Sequence, residues 1–510
     1  MAAADSFQKD VLPPQIDDPV HRMDGKDEEA VSMSKAESAN LEQDDPNAVN
    51  WDGPNDPENP LNWAPKKKWA NIIALSVMTI LVPLGSSMFA PGVPKIMAQF
   101  HSTDPNLATF VVSVYILGFA FGPLLAAPMS EIFGRAICYN VANLLFIVFT
   151  VAAALSKNMA MLIVFRFLMG FAGSTPITNG SGTISDMFPI QERGKAMSVW
   201  AIGPMLGPCI GPVAGGFVVQ DIGWRWVFWI IAIAAGVVSV ACFFFVTETH
   251  HPTLLRARVR RLKNETGNQE LYCALDDQNL TSKLRVQMAI IRPIKMLFTL
   301  PPILIMSLYI AVAYGILYLL FSTFSFVYPQ QYGFSSSIVG LAYIPTGLGM
   351  LVGISIFGTM TDRIIRDKLA KGETPVPEDR LPPLMVILSG LAIPAALFWY
   401  GWTTKANVHW IAPMIAVAVF SFGLIGVMMC VQVYLVDSYI QYAASVVAAI
   451  TVLRSLVGAL LPLAGLSLYE SIGLGWGNSL LGFIALALIP VPLLFRKFGP
   501  GIRARFPGNL

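Results

Sequence analysis

The chain has 510 residues, 55% of them hydrophobic and 13% charged, with a mean hydropathy of +0.59. That balance excludes a string of soluble domains and describes a polytopic membrane protein. The net charge of +2 is uninformative, because its distribution matters more than its sum, and five cysteines without framework spacing leave no structural disulfide or metal site to expect; no cofactor is expected either.

Residues 1–65 are polar, acidic and dotted with proline, and read as a disordered cytosolic tail. No signal peptide is expected, because the first apolar run begins only near Trp69. Lys66, Lys67 and Lys68 beside Trp63 and Trp69 form an interfacial anchor on the cytosolic side. Hydropathy then predicts spans near 70–90, 107–128, 136–156, 160–182, 196–219 and 225–246. Six more follow near 301–328, 337–361, 383–401, 410–432, 443–467 and 476–495. The N-terminal half is accordingly 66–250, a cytosolic central loop 251–300, the C-terminal half 301–497 and a short cytosolic tail 498–510. With both ends inside, only Lys95, Lys157, Arg225 and Lys405 of the 34 lysines and arginines fall outside, and Arg166 and Arg454 fall within spans. This bias supports an even number of spans.

After the second span come Ala127, Glu131, Gly134 and Arg135; after the eighth come Gly358, Asp362, Arg363 and Arg366. A small residue, an acid four later and an arginine four after that recur at one spacing, so the two halves repeat. The plain reading of these charges is a solvated ion pair worth under about 1 kcal/mol. In the fourth span, Arg166 at about 2.5–3.5 kcal/mol on insertion scales must face the interior and find a partner. It stays protonated and cannot carry a proton itself, but it can tune a neighbouring carboxylate. In the fifth span Gly203, Gly207, Gly211 and Gly215 recur every four residues, closed by Gly216, with Pro204, Pro208 and Pro212 alongside. In water three interior prolines would break a helix. In a membrane the helix survives bent, and the glycines let a neighbouring helix approach to backbone contact.

The central loop carries Arg256, Arg258, Arg260, Arg261 and Lys263, a basic run suited to anionic headgroups rather than nucleic acid. In the seventh span Tyr314, Tyr318 and Phe321 share a face, and Met428, Met429 and Gln432 close the tenth. Such stripes are usually packing or face lipid; lining a cavity, they would suit bulky, varied ligands. Just after the tenth span lies Asp437, either a helix-start cap or a carboxylate available to protons.

Several of these stretches carry a resemblance. The paired loops resemble the GxxxDRxGRR motif of the major facilitator superfamily, although Ala127, Glu131, Ile132 and Ile365 depart from it. Residues 166–173 resemble its RxxxGxxxG motif, whose arginine is tied to proton transfer. Residues 203–216 resemble the antiporter signature GxxxGPxxGG of its exporters. Residues 59–63, 246–255 and 434–458 resemble the NPxNW, PETxxPxLL and YLVDxYxxYAAS…RSxxGA patterns of fungal twelve-span drug:proton antiporters. The resemblance implies an all-α membrane protein of the major facilitator fold, with twelve transmembrane helices in two six-helix halves. It implies a monomeric, non-enzymatic exporter of small organic molecules in exchange for protons, at the plasma membrane. Arg166 and Asp437 would serve proton coupling. Glu131, Gly134, Arg135, Asp186, Asp362 and Arg363 would form charge latches, and spans 1, 4, 7 and 10 would line the cavity. An importer of the same fold and a ligand-binding sensor are the rivals. An ATP-driven pump is excluded by the lack of a GxxxxGK[ST] loop.

Overall fold

A computed structural model describes residues 46–189, 192–275, 282–374, 376–439 and 442–506, without the side chains of a few helical residues, Asp362 among them. By internal contacts the chain falls into two units, Met1–Asn50 with Leu255–Asp276, and Trp51–Leu254 with Asp277–Leu510.

The smaller unit holds a parallel pair of two-residue strands, β1 (Ala48–Val49) and β2 (Tyr272–Cys273). Asn47 tightens it, donating to Glu270 at 3.4 Å and accepting from Asn268 at 3.0 Å.

The larger unit is helical. Its N-terminal half runs α1 (Pro65–Ser87), α2 (Val93–Gln99), α3 (Pro105–Phe133), α4 (Arg135–Ala154), α5 (Met159–Met187), α6 (Arg193–Asp221) and α7 (Trp224–Phe245). The connection holds α8 (His251–Thr266), which crosses the boundary between units, and α9 (Ser282–Thr299). The C-terminal half runs α10 (Pro301–Tyr332), α11 (Ser336–Leu341), α12 (Ile344–Ala370), α13 (Pro383–Lys405), α14 (Ile411–Ser438), α15 (Ala443–Leu460), α16 (Gly465–Leu488) and α17 (Pro490–Arg505).

Among the described residues ten stretches are long and apolar enough to cross a membrane, where twelve were expected. The difference lies in α6, which is not among the ten, and in 443–505, which counts as one stretch although Gly473 breaks it at φ 78°. Outward-facing Phe243 and Phe244 are 70% and 73% exposed, as lipid contact requires of a helix this apolar. The repeat between halves extends to packing. In the first half α3 packs on α5, α4 on α5 and α7, and α1 on α6; in the second α12 packs on α14, α13 on α14 and α16, and α10 on α15.

Order begins before residue 66. The Asp56 carboxylate accepts from the Asp52 and Glu58 N–H groups at 2.9 and 2.8 Å. The Asn59 side chain caps a turn at Leu61, and Asn62 donates to the Pro54 and Asp56 carbonyls. Trp63 then joins Ile72, Ile184, Met187, Phe188 and Ala196 in a core that ties together the start of α1, the end of α5 and the start of α6. The tail as predicted therefore ends too late. Likewise the central loop is largely helical, and α17 continues past residue 497.

Candidate functional site

Arg166 is fully buried. Its Nε donates to the Val111 carbonyl at 2.8 Å, Nη1 to Gly85 at 2.9 Å, and Nη2 to Ser86 at 2.7 Å and Val112 at 3.4 Å. The guanidinium lies 3.7 Å from the Phe89 ring centroid and 5.1 Å from that of Tyr115. The partner demanded by the sequence is thus backbone, not a carboxylate. Gly170 makes room for this: a side chain there would strike the Tyr115 carbonyl, so α3 and α5 meet at backbone distance.

α6 remains one helix through Pro204, Pro208 and Pro212. Its glycine row meets α1: a Cβ on Gly203 would fall 2.9 Å from Thr79 Oγ1, and on Gly207 2.6 Å from Pro83 Cβ. On Gly211 it would fall 2.7 Å from Ser87 Oγ, and on Gly215 it would overlap the Met88 carbonyl. Gly216 faces elsewhere, 2.5 Å from the Ser336 carbonyl by the same construction, and the Pro212 carbonyl fills the space beside Gly340. One helix therefore locks to its own half by four glycines and meets the other half along its C-terminal part, from Cys209 beside Gly347 to Gln220. That outer seam is held by Gln220, whose Oε1 accepts from Ser337 Oγ at 2.6 Å, and by Ser325 donating to the Ala90 carbonyl at 2.8 Å.

At the opposite ends, Arg135 Nε pairs with Asp186 Oδ2 at 3.4 Å and Nη1 meets Ser130 Oγ at 2.5 Å. Glu248, unremarked as a latch residue, accepts from the Arg135 and Ala136 N–H groups at 2.9 and 3.1 Å and from those of Thr249 and His250. An anion on the first N–H groups of α4 is where the helix dipole favours it. Gly134, at φ 97°, makes the close approach: a Cβ would collide with that carboxylate. Glu131 is the exception among the first latch's residues. It is exposed, and among the described residues it pairs with no cation, since Ser130, not Glu131, turns inward.

In the second half Arg363 is exposed and the Asp362 side chain lies outside the described residues. The ion pairs sit instead on Lys368 with Asp379 at 2.6 Å, Arg503 with Glu378 at 2.8 Å, and Arg380 with Asp437 at 2.7 Å. Asp437 lies in the last turn of α14, so it is not a helix-start cap. Its pair with Arg380, just before α13, repeats the Asp186–Arg135 pair at the end of α5 and start of α4. Asp437 therefore belongs to the helix end rather than the interior. None of the twelve predicted spans contains an Asp, Glu or His.

Tyr314 and Tyr318 have ring centroids 5.0 Å apart and Tyr318 and Phe321 5.8 Å apart, in tilted to edge-on contact along α10, and Tyr343, between α11 and α12, lies 5.0 Å from Phe321. Met428, Met429 and Gln432 on α14 are half-buried. Arg454, placed within a span by the sequence but given no role there, has its guanidinium 4.7 Å from the Tyr314 ring centroid.

A family profile described as Major Facilitator Superfamily matches residues 75–462. The chain is 49% identical to "Efflux pump radE" of Floropilus chiversii, over 96% of this chain and 92% of that one. It is 47% identical to "MFS-type transporter penM" of Penicillium rubens, over 95% and 92% of the two chains. Among solved structures, a D-xylose-proton symporter superposes with a TM-score of 0.60 at 15% identity, covering 82% of this chain and 97% of that one.

Proposed function

The chain belongs to the Major Facilitator Superfamily, a family of membrane carriers, and on that premise we propose that it exports small organic molecules in exchange for protons. The observation that carries the proposal is α6, the helix with the exporter-like glycine–proline pattern. It is fixed to α1 by a row of glycines and meets the other half along its C-terminal part, from Cys209 beside Gly347 through Pro212 and Gly216 to Gln220. Such a joint lets one half rock against the other as a rigid body, with the outer seam closing one access route. The fungal relative named as an efflux pump supports the outward direction. Candidates for coupling include Asp186 and Asp437 at the helix ends, each paired with an arginine, Arg135 and Arg380. A pH difference of about two units supplies roughly 2.7 kcal/mol, and about 100 mV a further roughly 2.3. One proton inward per neutral molecule outward then sustains a gradient of several thousandfold. The plasma membrane is the site where such export detoxifies a cell. Growth of cells with and without the gene on a panel of toxic compounds, paired with flux in vesicles, tests the reading. Protection together with outward flux is expected; inward flux would identify an importer, and ligand binding without flux a sensor.

A further inference from the structure

Two arginines lie within the spans, and the protein treats them differently. Arg166 uses Nε and both Nη atoms on four backbone carbonyls, which leaves it little capacity for anything else. Arg454, near the middle of the membrane run of α15, has a buried Nε with no hydrogen-bond partner and no carboxylate beside it among the described residues. Its guanidinium is half-buried, lying over Tyr314 on α10, where Gly458 on the next turn of α15 packs against the same ring. Tyr314 continues into the Tyr318 and Phe321 column, and Tyr318 is within electrostatic reach of both arginines. The span interiors thus hold two permanent positive charges and no negative one.

An ionisable residue in a membrane helix without a protein partner marks a ligand site by default, and a planar guanidinium with open donors matches a carboxylate or an acidic enol. We propose that Arg454 binds the anionic group of the transported molecule, whose aromatic or flat apolar body lies against Tyr314, and that the substrate class is therefore amphipathic organic acids. This rests on the carrier reading and narrows its substrate. It also gives the membrane potential, negative inside, a direct hold on the cargo, since that potential drives an anion outward.

Anthracene-9-carboxylate and its carboxamide have nearly the same shape and differ in charge at neutral pH, and both fluoresce. Binding of each to the purified protein in detergent is the test. The carboxylate should bind at least tenfold tighter than the carboxamide. In Arg454→Gln that preference should vanish through loss of carboxylate affinity alone, with carboxamide affinity unchanged, and Arg454→Lys should restore part of it. Equal affinity for the two probes, binding of neither, or a parallel loss of both in Arg454→Gln would overturn the proposal. Should Arg454→Gln fail to fold, the comparison of probes on the unaltered protein and on Arg454→Lys still decides. Because no gradient is applied, failure here leaves the exporter reading standing, and failure of vesicle flux leaves the binding result standing.

Discussion

Gly216→Ala should open the outer seam. A Cβ at Gly216 would come within 2.5 Å of the Ser336 carbonyl oxygen and 3.1 Å of both Ser337 Cα and its carbonyl oxygen. All three are backbone atoms that no rotamer change can move. Ordinary contact lies near 3.5 Å, so the two halves must part by about 1 Å. Overpacking of this kind typically costs about 1–3 kcal/mol. It falls only on the conformer in which Gly216 and Ser336 meet, because opening the outside separates them. The balance should therefore shift about 5- to 150-fold toward the outward-open state. Gly211→Ala is the control: its Cβ would meet Ser87 Oγ at 2.7 Å and Met88 N at 3.2 Å, at the end of α1 in the same half. That strain persists in either conformer and should lower the melting temperature without shifting the balance. Cys209 is the native reporter, 5% exposed and seated against Gly347 of the opposite half. With the other four cysteines replaced, labelling by an impermeant maleimide added outside should accelerate in Gly216→Ala and not in Gly211→Ala. Unchanged labelling in Gly216→Ala, or equal acceleration in both, would refute the assignment of α6 as the joint between halves.

Arg166→Ala would orphan four buried carbonyls and should destabilise the protein by about 3–5 kcal/mol, as breaking a buried charged network does. Arg166→Lys, with three donors in place of five, should recover only part of the lost thermal stability in detergent; an unchanged melting temperature for the alanine variant would contradict the bonding described. Glu248→Ala removes the anion from the α4 N-terminus and should cost about 1–2 kcal/mol. Glu248→Gln, which keeps an acceptor, should lose less, and equal losses for the two would mean that the side chain acts by packing alone.

What the sequence reveals here is what repeats or lies close along the chain. The apolar runs, the spacing shared by 127–135 and 358–366, and the glycine row of α6 are local patterns, and the helices follow them. Arg166 could be assigned to the interior because charge in a membrane has few alternatives. Its partners could not be read, since four carbonyls from α1 and α3 carry no side-chain signature. Glu248 reaches Arg135 across 113 residues, and Arg380 reaches Asp437 across 57, so neither pair shows as a spacing. A polar composition made residues 51–63 look like tail, yet Asp56, Asn59 and Asn62 use that polarity to hold an ordered turn ahead of α1.

The central claim is exchange of an organic molecule for protons. Its most direct measurement uses inside-out vesicles carrying the protein and a fluorescent organic acid in the medium, with the lumen acidified and ATP absent. Accumulation that follows the imposed proton gradient, collapses with a protonophore and is unmoved by ATP is the predicted result. Uptake that follows ATP and ignores the gradient would contradict it.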